Sequence, residues 1–378
     1  KEICMINFGR TNTDRLALWW RNIDKLLFIS IIFLMFLGIF FAYTSTSNIA
    51  SERIYKTDHF LIIKHIFFAL ISFLILSSLS LLDAKQIEKY CILGFIITAF
   101  LLLLVLIFGV EVKGSKRWIN LIFFRFQPIE VYKPFFVLLC SLIISNSQIG
   151  DLKLRIFYSF CVLFFSLLLL LNQPDVGQSL LIFSVWLILI FVSGISIALL
   201  ISLGLAIFVG ISSTLLLFNE RFSYIFRRLK TFIDPSKGDN LQTQKALESI
   251  KQGGFTGRGI GEGVLKERVP EAHTDFVLAV IGEEFGILMI LIIFLTMTFI
   301  FLRVFTQFSM ENNSFRKLVL VGLSCLVYLQ SIINLGVTLN ILPNKGMTFP
   351  FISYGGSSMI GCAITFGILL CFTKRKLS

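Results

Sequence analysis

Two stretches of this chain, Leu26 to Ser45 and Cys91 to Gly109, run without a charged residue and are almost wholly apolar. An apolar stretch of about 18 residues or more is long enough, as a helix, to cross a hydrocarbon core of about 30 Å. Inside lipid the backbone has no water to bond, so such stretches must close their own hydrogen bonds as helices. Composition agrees. Of the 378 residues, 56% are hydrophobic and 15% charged, and the mean hydropathy is +0.87. Soluble domains run about 45–50% apolar and about 25% charged. These values exclude a soluble enzyme, a disordered chain and a nucleic-acid-binding domain. The net charge of +12 therefore reads first as a membrane signature.

The hydropathy pattern predicts an all-α polytopic membrane protein of about ten spans, forming a single membrane domain over 1–378. The spans lie roughly at 26–45, 60–82, 90–109, 129–146, 156–172, 177–194, 195–218, 276–303, 317–340 and 357–373. The first is longer than the about 7–15-residue core of a signal peptide and reads as a retained span. Ten spans put both termini on one side. With the long 219–275 loop left out, that side carries about twice the lysine and arginine of the other, which makes it cytoplasmic. Lys113, Lys116, Arg117 and Arg125, in the 110–128 loop, oppose the rule. Either they are tolerated noise or they grip an anion outside.

The 219–275 loop is predicted to be a large extracytoplasmic loop. Phe222, Ile225, Phe226, Leu229, Phe232 and Ile233 share one helix face, with Arg221, Arg227, Arg228 and Lys230 mostly off it. That pattern suits an amphipathic helix lying in the membrane interface, stopped by Pro235. A second short helix is expected from Leu241 to Gln252, ended by Gly253-Gly254.

The seven cysteines form no CxxC pair, and the three histidines are scattered, so neither set makes a metal or disulfide framework. The glycine run Gly253 to Gly263 matches no nucleotide motif, and Gly109 to Lys116 carries the P-loop residues in the wrong order. Nucleotide binding is rejected, although backbone N–H groups of the glycine run could meet a pyrophosphate.

Polar groups within or beside spans are candidates by default, because burying them in lipid is costly. Glu130 and Lys133 stand three apart and can pair on one helix face. The pair could be purely structural or could position a polar substrate. Gln173-Pro174-Asp175 breaks the chain between spans five and six, with Asp175 placed to cap the next helix. Glu283 and Glu284 lie about two turns into span eight and need partners or water. His273-Thr274-Asp275 sits where the large loop re-enters the membrane, and Thr274 or Asp275 could simply be the N-cap there.

Taken in order, Gly114-Ser115-Lys116-Arg117-Trp118-Ile119, Phe126-Gln127-Pro128-Ile129-Glu130, Gln173-Pro174-Asp175-Val176-Gly177, Pro270-Glu271-Ala272-His273-Thr274-Asp275-Phe276 and Phe351-Ile352-Ser353-Tyr354-Gly355-Gly356-Ser357-Ser358 closely resemble the SEDS family of bacterial cell-wall glycosyltransferases. The resemblance covers almost the whole chain. Pro270-Glu271-Ala272 and Asn344-Lys345-Gly346-Met347-Thr348 look like the cell-division member rather than the elongation member. Ile129 departs from the family's usual small hydroxyl residue, and Val176-Gly177-Gln178 stands where Leu-Gly-Thr is common; neither removes a charge.

The resemblance implies an enzyme that polymerises lipid II into glycan strands at the outer face of the cytoplasmic membrane, at the division septum. It implies that Asp275 is the essential carboxylate, so that capping is not its whole role. Arg125, Glu130, Lys133, Gln173 and Asp175 fall on further family positions, and His273 belongs to the same motif as Asp275. Lys113, Lys116, Arg117 and Arg125 become candidates for the lipid pyrophosphate, with or without a divalent cation such as Mg or Mn. A class B penicillin-binding protein transpeptidase is the implied partner, alongside other division proteins, membrane lipid and no nucleic acid. The alternative is a lipid II flippase, which internal inverted repeats would favour; a pure scaffold would leave Asp275 dispensable.

Overall fold

The computed structural model describes residues 14–46, 57–112, 115–121, 124–217, 241–263, 273–343 and 346–374. Among these, the chain forms twelve helices: α1 (Arg15–Asn22), α2 (Lys25–Thr46), α3 (Thr57–Leu81), α4 (Ala84–Phe108), α5 (Pro128–Ser145), α6 (Leu152–Asn172), α7 (Val176–Val192), α8 (Ile197–Leu217), α9 (Leu241–Gly253), α10 (Val277–Met310), α11 (Ser314–Thr338) and α12 (Gly356–Phe372). Seven of them are long and apolar enough to cross a membrane on their own, and Val176–Val192, Ile197–Gly210 and Gly356–Phe372 are shorter apolar helices. The protein is a multi-pass membrane protein, and these ten helices occupy the ten expected spans. Several begin earlier or end later than the apolar run. Lys85, Glu88 and Lys89 extend α4, and Arg303 lies inside α10. Helices continue past the hydrocarbon into the headgroup layer, where charge is tolerated.

Burial separates central helices from lipid-facing ones. In α5 and α11, 67% of the apolar window is buried, against 28% in α3, α4 and α10. The outer helices show apolar side chains such as Ile96, Phe100 and Ile107 to the exterior. Two pairs of polar side chains bond each other inside the bundle: the Tyr132 and Ser166 hydroxyls lie 2.5 Å apart, and Trp186 Nε1 donates to Ser159 Oγ at 3.2 Å.

Three features were not expected. The first is α1, whose Trp19 donates to Ser80 Oγ at 2.9 Å while Lys25 lies over the Trp20 ring at 5.4 Å. Tryptophan at a bilayer boundary suits this placement. The interfacial helix expected at 222–233 lies outside the described residues.

The second is a small antiparallel sheet of order β1-β2-β3, with β1 at Val110–Val112, β2 at Ser115–Asn120 and β3 at Arg125–Phe126. Its register sets Glu111 opposite Lys116 and Asn120 opposite Arg125. Strands this short leave little alternation to read.

The third is a break in α10 at Gly286, where φ is +77° and ψ is 177°. A left-handed φ of this kind favours glycine. The glycine run satisfies the groups that the break frees. Arg258 N and Gly259 N donate to the carbonyls of Glu283 and Glu284, each at 3.0 Å, and Ile287 N and Leu288 N donate to the carbonyls of Gly254 and Phe255 at 3.0 and 3.3 Å. Irregular backbone at a membrane protein's core is stable only where the protein itself bonds it. The N–H groups of Gly257 and Glu262 are also bonded within the run, and Gly254 N donates to the Ile250 carbonyl of α9. This narrows the pyrophosphate expectation: five of these amides already have partners, and the run is a strap across a broken helix. The predicted end of α9 at Gly253-Gly254 is observed, with Gly254 at φ +59°.

Candidate active site

On the face that carries the 109–127, 173–175 and 339–355 connections, a chain of buried polar side chains runs through the bundle. It begins at the sheet. Alternation along β2 buries Ser115 and leaves Lys116 exposed, and Arg117 turns toward the 174–175 turn. Its guanidinium donates to the Pro174 carbonyl and lies 3.7 Å from Asp175 Oδ1. The same oxygen accepts from Gln178 N at 3.3 Å, so Asp175 caps α7 as its position predicted. Gln173 Nε2 ties the turn to the Leu102 carbonyl at 2.9 Å.

From α7 the network passes to α5. Gln178 Nε2 donates to Glu130 Oε1 at 3.1 Å, and Glu130 Oε2 lies 2.8 Å from Lys133 Nζ. The predicted ion pair is therefore present, with both side chains buried. Lys133 also donates to Gln330 Oε1 on α11 at 2.8 Å. Arg117, Asp175, Glu130 and Lys133 together sum to no net charge, which lowers the cost of burying them.

α11 joins this cluster to Asp275. Gln330 and Asn334 stand one turn apart on one face. Gln330 Nε2 donates to the Thr348 carbonyl at 2.9 Å, and Asn334 Nδ2 donates to the Met347 carbonyl at 2.6 Å and the Asp275 carbonyl at 2.9 Å. A single amide thus fixes Asp275 against the 346–348 segment. Gly346 sits there at φ +64°, and a Cβ added to it would lie 3.4 Å from Asp275 Oδ2. Asp275 is buried, and α10 begins beyond it with Phe276 at the N-cap position and no side-chain cap bond. The helix thus starts one residue later than the Asp275 N-cap reading placed it, and two later than the Thr274 one. His273 is half-buried, and its carbonyl accepts from Tyr354 N at 2.8 Å. Burial pushes the Tyr354 phenol above its usual range.

Of the candidate residues, the structure thus links Arg117, Asp175, Glu130 and Lys133 directly, and Asp275 through α11. Lys116 and Arg125 are exposed at the sheet, while Lys113 lies outside the described residues. Of the three described basic residues of this loop, Arg117 is thus turned to the 174–175 turn while Lys116 and Arg125 stay exposed. Residues that the sequence reading missed are Gln178, Gln330, Asn334 and Thr348, together with His65, a buried histidine of α3 whose ring lies 6.1 Å from Tyr354. Uncharged amides in apolar helices carried the only available signal, which is their cost in lipid.

Asp175 Oδ2 and Gln178 Oε1 are buried acceptors with no hydrogen-bond partner among the described residues. Oxygen donors suit a hard divalent cation. However, no group of three His, Cys, Asp or Glu is placed to hold a metal among the described residues, and Arg117 and Lys133 bring positive charge to the same cluster. This donor set fits a hydroxyl or amide N–H better than a divalent cation.

A family profile described as "Cell cycle protein", covering FtsW, RodA and SpoVE, matches residues 24–377. The probable peptidoglycan glycosyltransferase FtsW of Caulobacter vibrioides is 33% identical over 98% of this chain and 94% of its own length. The protein of the same description from Haemophilus influenzae is 34% identical over 92% of this chain and 89% of its own. Among solved structures, a chain described under the structural coordination of polymerization and crosslinking by a peptidoglycan synthase complex superposes with a TM-score of 0.75 at 22% identity, covering 93% of this chain and 97% of that one. The rod shape determining protein RodA of Thermus thermophilus superposes at 0.68 and 22% identity, covering 94% and 97%.

Proposed function

The chain belongs to the FtsW, RodA and SpoVE family of cell cycle proteins, and from that premise we propose that it is a peptidoglycan glycosyltransferase that polymerises lipid II for septal wall synthesis in cell division. The relatives named above, described as probable peptidoglycan glycosyltransferases and covered over nearly their whole length, support the activity and the division role. The chain sits in the cytoplasmic (inner) membrane with both termini in the cytoplasm and Asp275 at the outer face. A class B penicillin-binding protein is its crosslinking partner, by extension from the synthase complex in which a chain of this fold was solved. Other division proteins join them at the septum.

The observation that carries the proposal is the setting of Asp275: a buried carboxylate whose main chain is clamped by Asn334 against the 346–348 segment. A fixed carboxylate at the mouth of a bundle suits a general base. Asp275 takes the proton of the acceptor sugar's 4-hydroxyl as that oxygen attacks the donor's anomeric carbon. Proton transfer of this kind contributes about 10²–10⁴-fold. An α-linked donor giving a β-linked strand inverts in a single displacement, so no carboxylate nucleophile is required. The departing lipid pyrophosphate meets the exposed cations Lys116 and Arg125, with Lys113 in the same loop. Arg117 holds the 173–175 turn, and Gln173, Asp175, Glu130 and Lys133 shape the polar wall behind the substrate, with His273 beside the base. A divalent cation, if used, would be brought by the pyrophosphate.

The test is elongation of labelled lipid II by the purified protein together with its transpeptidase partner. Asp275→Asn should lose at least about 100-fold in rate while still inserting and binding the partner. Elongation near the wild-type rate would remove Asp275 as the base. Loss of lipid translocation in vesicles free of any polymerase would instead favour the flippase.

A further inference from the structure

The face of the bundle opposite Asp275 holds a cavity of about 280 Å³ between the ends of α5 and α7 and the starts of α6 and α11. Its lining includes two cations, Arg155 and Lys317, and no acidic side chain. Both cations lie in the first turn of their helices. That position is unfavourable for a positive charge, because the helix dipole is already positive there. Two basic first turns facing one cavity concentrate positive potential in it.

The polar groups show which demands the protein already meets. Arg155 Nη1 donates to the Ile144 carbonyl at 2.7 Å, which closes the end of α5. Its Nε is buried and has no hydrogen-bond partner among the described residues. Lys317 likewise makes no ion pair or side-chain hydrogen bond with them. Ser193 and Ser314 add hydroxyls to the lining, and Leu152 and Leu318 add apolar side chains. The cavity thus combines cationic, hydroxyl and apolar lining at the ends of membrane-spanning helices. Pockets for drug-sized ligands run about 300–1,000 Å³, so this one suits a headgroup rather than a whole amphiphile.

We propose that this cavity seats the phosphate headgroup of an anionic phospholipid from the leaflet on that face, with the phosphate between Arg155 and Lys317 and the glycerol end of the acyl chains against the leucines. Basic pockets between helices at this depth are the setting in which such headgroups bind. The site is remote from Asp275 and does not depend on the glycosyltransferase reading.

The test uses the full-length protein in nanodiscs of phosphatidylglycerol or of phosphatidylcholine, with retained lipid measured by native mass spectrometry and melting followed in parallel. The wild type should retain phosphatidylglycerol and melt higher in it. Lys317→Gln, which breaks no side-chain hydrogen bond or ion pair with the described residues, should retain it about fivefold less, as expected from about 1 kcal/mol per cation. Arg155→Lys keeps the charge and the means to bond the Ile144 carbonyl, and should retain lipid at an intermediate level. Equal retention by the wild type and Lys317→Gln, or no preference between the two lipids, overturns the site. Stabilisation by inorganic phosphate alone in phosphatidylcholine discs, equal to that by phosphatidylglycerol, overturns the lipid assignment.

Discussion

The two faces of the bundle, the one that carries Asp275 (outer in the proposed topology) and the one opposite it (inner in that topology), are built by different rules. On the inner face the short turns are capped locally, and the longer ties there, Asp24 to Arg303 at 2.8 Å, Trp19 to Ser80 at 2.9 Å and Lys374 to the Leu82 carbonyl at 2.8 Å, share no residue with one another. Gln86 Oε1 accepts from Asp83 N at 3.0 Å, Asn313 Oδ1 accepts from Arg316 N at 3.0 Å, and Arg316 pairs with Glu311 at 3.7 Å across the turn. On the outer face the polar groups find partners far away in sequence, from Arg117 to Pro174, from Lys133 to Gln330 and from Asn334 to Asp275. Local caps end helices and stay near solvent. A buried network of long-range bonds is costly unless complete, and it persists where it holds a chemical site in one geometry.

The contrast predicts that outer-face substitutions damage stability and activity together. The largest effect belongs to the ion pair. Lys133→Met strands the Glu130 carboxylate and the Gln330 amide oxygen, and should cost about 3–5 kcal/mol in thermal unfolding. An isolated pair would be rescued by adding Glu130→Leu. Here Gln178 Nε2 and Gln330 Oε1 also bond the pair, so each is left buried without its partner, at about 1–3 kcal/mol apiece. The double variant should therefore recover stability only in part and polymerisation not at all. Full recovery of both would reduce the pair to a structural pin.

How much of this was legible follows the same division. The ten spans, the Asp175 cap and the Glu130–Lys133 pair are local: a hydropathy window, a turn before a helix, an i,i+3 spacing. The strap role of the glycine run was missed because its partners, the carbonyls freed at Gly286, lie in another element, and a glycine within a long apolar run gives no sign of a break. Gln330 and Asn334 were missed because an amide in a helix does not announce what it will bond. Arg117 was grouped with Lys116 by sequence proximity, and only the pleat of β2 separates their directions. Asp275 itself came from motif resemblance; its residue type alone pointed to a cap.

Asn334 gives the next prediction in size. Asn334→Leu removes both donors and leaves the Met347 and Asp275 carbonyls without them, at about 1–3 kcal/mol. Displacing a reacting group by about 1 Å can cost about 100-fold in rate. Polymerisation should fall toward that range with the KM for lipid II little changed, since no substrate contact is removed. Asn334→Gln keeps the donors on a longer arm and should recover part of the rate. An unchanged rate in Asn334→Leu would show that Asp275 is placed without this clamp.

The smallest effect tests the inner face. Gln86→Ala removes an exposed bond that closes the first turn of α4. A hydrogen bond contributes about 0.5–1.5 kcal/mol net. Alanine's higher helix propensity returns a few tenths at the same position. Thermal unfolding should therefore shift by less than about 1 kcal/mol, and polymerisation should stay at the wild-type rate because no long-range bond of the outer network passes through this turn. The variant is informative because it changes a helix end without touching the site. If it slowed polymerisation as much as Asn334→Leu, the inner turns would be coupled to Asp275 through the helices, and the separation between a locally capped face and a cooperatively bonded one would not hold.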